Sequence, residues 1–167
     1  MSIPFHKRLL LSCMLATLIC TPITAAKKPL RVVSWSAKSL EKVLHFNNKN
    51  HIAVLYSNRN LFSNTGIKSL VSQLFDYNII PLINQGKLSF ALKTKTLKNI
   101  KYLGRYNNKS TAWSLTFPVQ FIYTTLGKKH SSQKARIDLI VSKNSKRDFL
   151  IEEITLKPLE TFMMVSS

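Results

Sequence analysis

The spacing of apolar residues changes once along this chain. Up to Gly86 it is helical, and beyond Gly86 it alternates. Leu40, Val43 and Leu44 stand at i, i+3 and i+4, one face of a helix that Ser36 or Ser39 could cap. The pattern continues loosely through Ile52, Val54, Leu55 and Tyr56, interrupted by Asn47-Asn48-Lys49-Asn50. Ser63-Asn64-Thr65-Gly66 is a turn and capping cluster, with Gly66 expected to supply a turn conformation costly for other residues. Ile67, Leu70, Val71 and Leu74 then predict an amphipathic helix. Ile79, Ile80, Leu82 and Ile83 surround Pro81 and predict a short, irregular apolar segment.

In the second half, Leu88, Phe90 and Leu92 predict one strand, and Ile100 and Tyr102 a second, short one. Trp113, Leu115, Phe117, Val119, Phe121 and Tyr123 mark the longest strand. Pro118 falls on its other face and cannot donate to a ladder, so a bulge or an edge is expected there. Ile137, Leu139 and Val141 mark a further strand. Residues 148–157 close the set, with Phe149 and Ile151 on one face and Leu150, Ile154 and Leu156 on the other. The polar connections 127–134 and 143–147 suit hairpins. Helices followed by hairpin-linked strands predict an α+β fold, a helical layer over one face of a curved antiparallel sheet.

The N-terminus changes the picture of where such a domain works. Lys7 and Arg8 precede an uncharged apolar run from Leu9 to Cys20, then Pro22 and the small residues Thr24-Ala25-Ala26. That run is too short for the roughly 20 residues of a membrane-spanning helix and matches a secretory signal peptide. The expected organisation is a signal at 1–26, a tether at 27–36, one α+β domain at 37–160 and a tail at 161–167. The expected location is the periplasm after cleavage. The alternative is an inner-membrane anchor formed by residues 9–23. Both cysteines, Cys13 and Cys20, lie in the signal, so the mature chain would have no disulfide, thiolate metal site or cysteine nucleophile.

Charge narrows the partners less. The formal net charge is +18, and the signal holds only two of the cationic residues, Lys7 and Arg8. A balance of this kind suits phospholipid headgroups, acidic proteins, cell-wall polymers or nucleic acid, and equally a proteome that is basic throughout.

Catalytic signals are sparse. Seven acids leave little material for a paired-carboxylate site. Glu152 and Glu153 are adjacent in a strand, which would send their side chains to opposite faces. Asp76 and Asp138 are isolated in sequence, Asp138 beside Arg136 and expected to face solvent. His45, His51 and His130 lack the spacing of a zinc site. No phosphate loop, nucleophile elbow or dinucleotide fingerprint is present. We therefore expect no catalytic, cofactor-binding or metal-ligating residues. Trp113, Phe117, Phe121 and Tyr123 are read as the buried face of the sheet rather than as base-stacking residues. Lys101, Tyr102, Arg105, Tyr106 and Lys109 form a basic-aromatic stretch read as a solvated sheet edge, although phosphate or lipid contact also suits it.

Several short motifs carry a family resemblance. Leu61-Phe62-Ser63-Asn64-Thr65-Gly66-Ile67 resembles the Phe-Thr-x-x-Gly-Trp element of the DotI/IcmL (TraM-like) family of type IVB secretion proteins. Gly104-Arg105-Tyr106, Trp113 to Val119 with Pro118, and Tyr123 are similar to its Gly-x-Tyr-x-Trp-x-Val-x-x-Pro-Leu-x-x-x-Tyr core. The residues carrying the motif are thus Phe62, Gly66, Tyr106, Trp113, Pro118 and Tyr123. Three departures stand out: Ile67 in place of Trp, an insertion at about 107–111, and the signal-like N-terminus. The resemblance implies a nuclear-transport-factor-like cone and a non-enzymatic, IcmL-like periplasmic component or accessory of a Dot/Icm type IVB secretion system. The implied partners are other secretion subunits or a second copy, with contact to the inner-membrane surface, and not nucleic acid. The alternatives are a small-ligand-binding cone, with or without catalysis, and a basic protein that binds anionic membrane or polymer.

Overall fold

The computed structural model describes residues 27–106, 110–125, 128–143 and 148–158. The segment expected as a signal and the tail at 161–167 lie outside them. Helix α1 spans Lys27–Val43, α2 spans His51–Ser57, α3 spans Asn64–Asp76 and α4 spans Ile79–Asn84. The strands are β1 (His45–Phe46), β2 (Leu88–Thr94), β3 (Asn99–Tyr106), β4 (Ser110–Thr125), β5 (Lys128–Lys143) and β6 (Phe149–Pro158). They form one antiparallel sheet, with the order β1-β2-β4-β5-β6 and β3 beside β4. The sheet curls around the helices, so the α+β expectation holds.

The sequence 27–36, expected as a tether, is instead the first half of α1. Val32 and Ser36 continue the buried stripe of Leu40 and Val43, one helical turn apart at each step. Proline within the first turn, here Pro29, is compatible with a helix start, because amides there have no intrahelical acceptor. Ser36 and Ser39 are consequently buried in the helix and do not cap it. The same reasoning accounts for α4. Pro81 is its third residue, so the segment expected to be irregular is helical, with Ile79, Ile80 and Ile83 buried.

Strand β4 organises the sheet. One of its edges pairs along its whole length with β5. The other is shared: β2 pairs with Val119–Thr125 and β3 with Ser110–Thr116. Pro118 lies where one partner gives way to the other. Its carbonyl accepts a hydrogen bond from the Lys95 amide at 2.9 Å, so its nitrogen faces the same gap and no β5 bond is lost. The expected bulge or sheet edge at Pro118 is thus replaced by an internal gap between two partners.

The connection expected at 127–134 is shorter, since β5 already begins at Lys128. Polar Ser131, Ser132 and Lys134 pair with β4 because the ladder needs only backbone groups. The inner face of the sheet is filled by Phe90, Leu115, Phe117, Phe121, Ile137 and Leu139, on which Leu40, Leu44, Leu70 and Leu74 of the helical layer pack.

Candidate functional site

The motif residues fall into three places. Phe62 and Gly66 sit where the start of α3 meets β6. Phe62 forms a parallel bridge with Ile151, and the Ser63 amide donates to the Ile151 carbonyl at 3.0 Å. The Ser63 hydroxyl caps α3 by accepting from the Gly66 amide at 3.1 Å. Gly66 itself is helical, so the expected turn role does not apply. A Cβ at this position would stand 2.2 Å from the Ile151 carbonyl oxygen. Glycine is needed for close approach of helix to strand, not for its dihedral freedom.

Further along α3, the side chains continue the same task. Ser69 Oγ donates to the Ile154 carbonyl at 2.9 Å, and Gln73 Nε2 donates to it at 2.6 Å. Gln73 Oε1 accepts from the Leu156 amide at 2.7 Å, and the Tyr77 hydroxyl donates to the Leu156 carbonyl at 2.9 Å. Ser69, Gln73 and Tyr77 are spaced i, i+4 and i+8, a polar stripe along α3 that runs on into its C-terminal cap. Sequence reasoning missed them. The signal was present as that regular polar stripe beside Leu70 and Leu74, which the apolar periodicity alone does not single out.

The second group centres on Trp113. Its ring lies 6.1 Å from Tyr102 of β3 and 6.0 Å from Phe149 of β6, and Phe149 lies 5.4 Å from Trp35 of α1. Four rings thus tie the helical layer to the exposed edge of the sheet. Pro118 and Tyr123 form the third group, farther along β4. The Tyr123 hydroxyl donates to Gln133 Oε1 at 3.1 Å, and burial raises its pKa. Its ring meets Phe90 at 5.6 Å, beside Phe121.

Tyr106 lies on the outer face of the sheet. Its hydroxyl donates to Glu153 of β6. The Glu153 hydrogen bond first, then burial and the charges of Glu153 and Glu152, push the phenol up to about 12. Both carboxylates therefore act on one hydroxyl, contrary to the opposite faces expected for neighbouring strand residues. The cause is a bulge in β6: Ile140 pairs with Glu153 and Val141 with Ile151, leaving Glu152 as the extra residue. Glu152 accepts from the Ser142 hydroxyl on the outer face. The same bulge brings Ile151, Ile154 and Leu156 to the inner face together, correcting the expected split between them.

Asp138 is partnered rather than isolated. Thr116 Oγ1 donates to it at 3.0 Å and Lys157 Nζ at 2.8 Å, with Arg136 at 3.5 Å. Burial opposes its ionisation, but the bonds from Lys157 and Thr116 and the charge of Arg136 outweigh that and hold its pKa below the usual value. His51 is buried with Nδ1 3.2 Å from the Asn47 carbonyl, His45 is exposed and His130 belongs to β5. Among the described residues, no group of three His, Cys, Asp or Glu is placed to hold a metal ion. No helix among them is long and apolar enough to cross a membrane.

No protein-family model and no curated protein matches the sequence. Solved structures do match. A periplasmic fragment of TraM aligns with a TM-score of 0.68 at 13% identity, covering 78% of this chain and 97% of the fragment. The periplasmic domain of DotI aligns with a TM-score of 0.64 at 17% identity, covering 76% and 93%. An IcmL-like type IV secretion system protein from Legionella pneumophila aligns with a TM-score of 0.64 at 13% identity, covering 78% and 93%. At these identities the likeness is one of fold. The helical layer and curled sheet of this chain have the architecture of the TraM, DotI and IcmL-like structures over nearly their whole length.

Proposed function

We propose that this chain is a non-enzymatic, IcmL-like component or accessory of a type IV secretion apparatus of the Dot/Icm kind, acting in the periplasm through protein-protein contacts. The observation that carries the reading is the fold shared with TraM, DotI and the IcmL-like protein across more than nine-tenths of each of those chains. The signal-like residues 1–26 support export, with a soluble periplasmic chain as the product. The partners are other secretion subunits or a second copy of the chain. The inner face of the sheet is occupied by packed aromatic and aliphatic side chains, which suits a scaffold.

The test is a crosslinked pull-down of the tagged chain from its native cell envelope, with the N-terminus of the recovered chain sequenced. Recovery of secretion subunits with an N-terminus at Lys27 is the expected result. A chain free in the periplasm or medium, with no secretion subunit bound, overturns the role.

A further inference from the structure

We infer that the outer edge of β3 is a docking strand for an extended, acidic segment of a partner protein, bound by strand addition. The inference rests on the interaction role proposed above and names the chemistry of the partner. β3 is eight residues long and pairs on one side only, with β4. Among the described residues no strand pairs with its other side. Among the described residues no strand pairs with β5 on the side away from β4 from Lys128 to Lys134 either, but that stretch carries no apolar residue. The edges of β6 and β2 are at least partly covered. β6 is sealed by Ser63, Ser69, Gln73 and Tyr77. β2 is covered by β1 and by Glu41, whose carboxylate accepts from the Thr94 amide at 2.9 Å. An uncovered edge displays a row of unpaired amides and carbonyls, a ready template for another strand.

The side chains select what can use that template. Lys95, Lys98, Lys101 and Arg105 line the strand and its approach, residues 95–106 contain no acid, and none of the four cations is in an ion pair with a described residue. Tyr102 is 63% and Leu103 37% exposed, so apolar contact area lies between the charges. A second copy of β3 would set these cations against one another, and like charges on paired strands are destabilising. The bulge between Tyr102 and Gly104, with Gly104 at φ 77°, twists the edge away from flat, indiscriminate pairing. A strand with acidic residues between apolar ones satisfies both the backbone row and the charges.

The test uses the purified full chain and three capped peptides of about ten residues. One alternates Glu and Val, one alternates Lys and Val, and one is the Glu-Val peptide with alternate valines replaced by proline. Amide hydrogen exchange at residues 99–106 is the readout. The Glu-Val peptide is expected to slow exchange there by about tenfold or more, with affinity falling as salt rises. The other two should leave it unchanged. The double variant Lys101→Glu/Arg105→Glu, checked for unchanged thermal unfolding, should lose the Glu-Val peptide and gain the Lys-Val one. That reversal distinguishes a docking strand from a damaged fold.

Protection elsewhere or nowhere overturns the proposal, as does equal binding of the proline-containing acid, which would mean charge attraction without a ladder. Protection that rises with protein concentration and needs no peptide overturns it in favour of a second copy. Protection by anionic vesicles but not by peptide overturns it in favour of a lipid surface. All of these outcomes are independent of the envelope pull-down, so failure here and failure of the secretion role are told apart.

Discussion

At β6, carbonyls of Ile151, Ile154 and Leu156 are each met by a group from the α3 segment, and Gly66 lets the helix come close enough to do it. At β3, eight residues run along the rim of the same sheet with no such cover among the described residues, and mostly exposed side chains, the cations Lys101 and Arg105 among them, stand along them. One sheet therefore has an edge finished by its own helix and an edge left for solvent or a partner. The difference teaches where stability and interaction are divided. Polar groups that seal an edge are costly to remove because the strand's groups are then left unpaired. Side chains on an open edge are cheap to change because they contribute little to folding.

The largest expected effect falls on the element that joins the two edges. Trp113 contacts Tyr102 on β3 and Phe149 on β6, so Trp113→Ala should cost about 3–5 kcal/mol, typical of an emptied aromatic site. Unchanged thermal unfolding would show that the ring row does not hold the edges together. Next is Gly66→Ala, which forces α3 away from the Ile151 carbonyl and should cost about 1–3 kcal/mol by denaturant titration. A neutral effect would mean that the helix shifts without strain and that the seal is looser than its geometry.

A paired experiment sharpens the contrast directly. Gln73→Leu strips two hydrogen bonds from the β6 edge and should cost about 1–2 kcal/mol. Lys101→Ser on the β3 edge should stay within about 0.5 kcal/mol. Equal costs would erase the distinction between a sealed and an open edge.

A further small effect concerns the outer face. The carboxyl of Asp138 is held below its usual pKa in the folded chain, so its contribution is present above the unfolded value of about 3.9 and disappears as pH falls through the folded one. Asp138→Asn should therefore cost about 0.5 kcal/mol at neutral pH, since Lys157 is half exposed and the pair is screened. The gap between wild type and variant should close when unfolding is measured below the carboxylate range.

The alternating pattern from Trp113 to Tyr123 located β4 well, because every second side chain had to be apolar to face the helices. The helical face of Leu70 and Leu74 was legible for the same reason. The basic-aromatic stretch at 101–106 was legible as an edge because Lys101 and Arg105 stand where no core position is required. Roles that depend on a neighbour distant in sequence were not legible. Gly66 looked like a turn residue until β6 was placed against it. Ser69, Gln73 and Tyr77 carry no motif, and their task is defined only by the strand edge they bond.

What the sequence by itself determined is periodicity: where the chain is helical, where it alternates, and hence the α+β class and the buried faces. These follow from local geometry and from the removal of apolar surface from water, both of which each segment carries within it. What only the tertiary structure decided is register and adjacency. The bulge at Glu152 placed two carboxylates together and reconciled Ile151 with Ile154 and Leu156. The shared edge of β4 made room for Pro118. Which rim of the sheet is sealed and which is open followed from the packing of α3. A one-residue shift in a ladder changes every partner while leaving the pattern along the chain the same, so these features exist only once the strands have been set side by side.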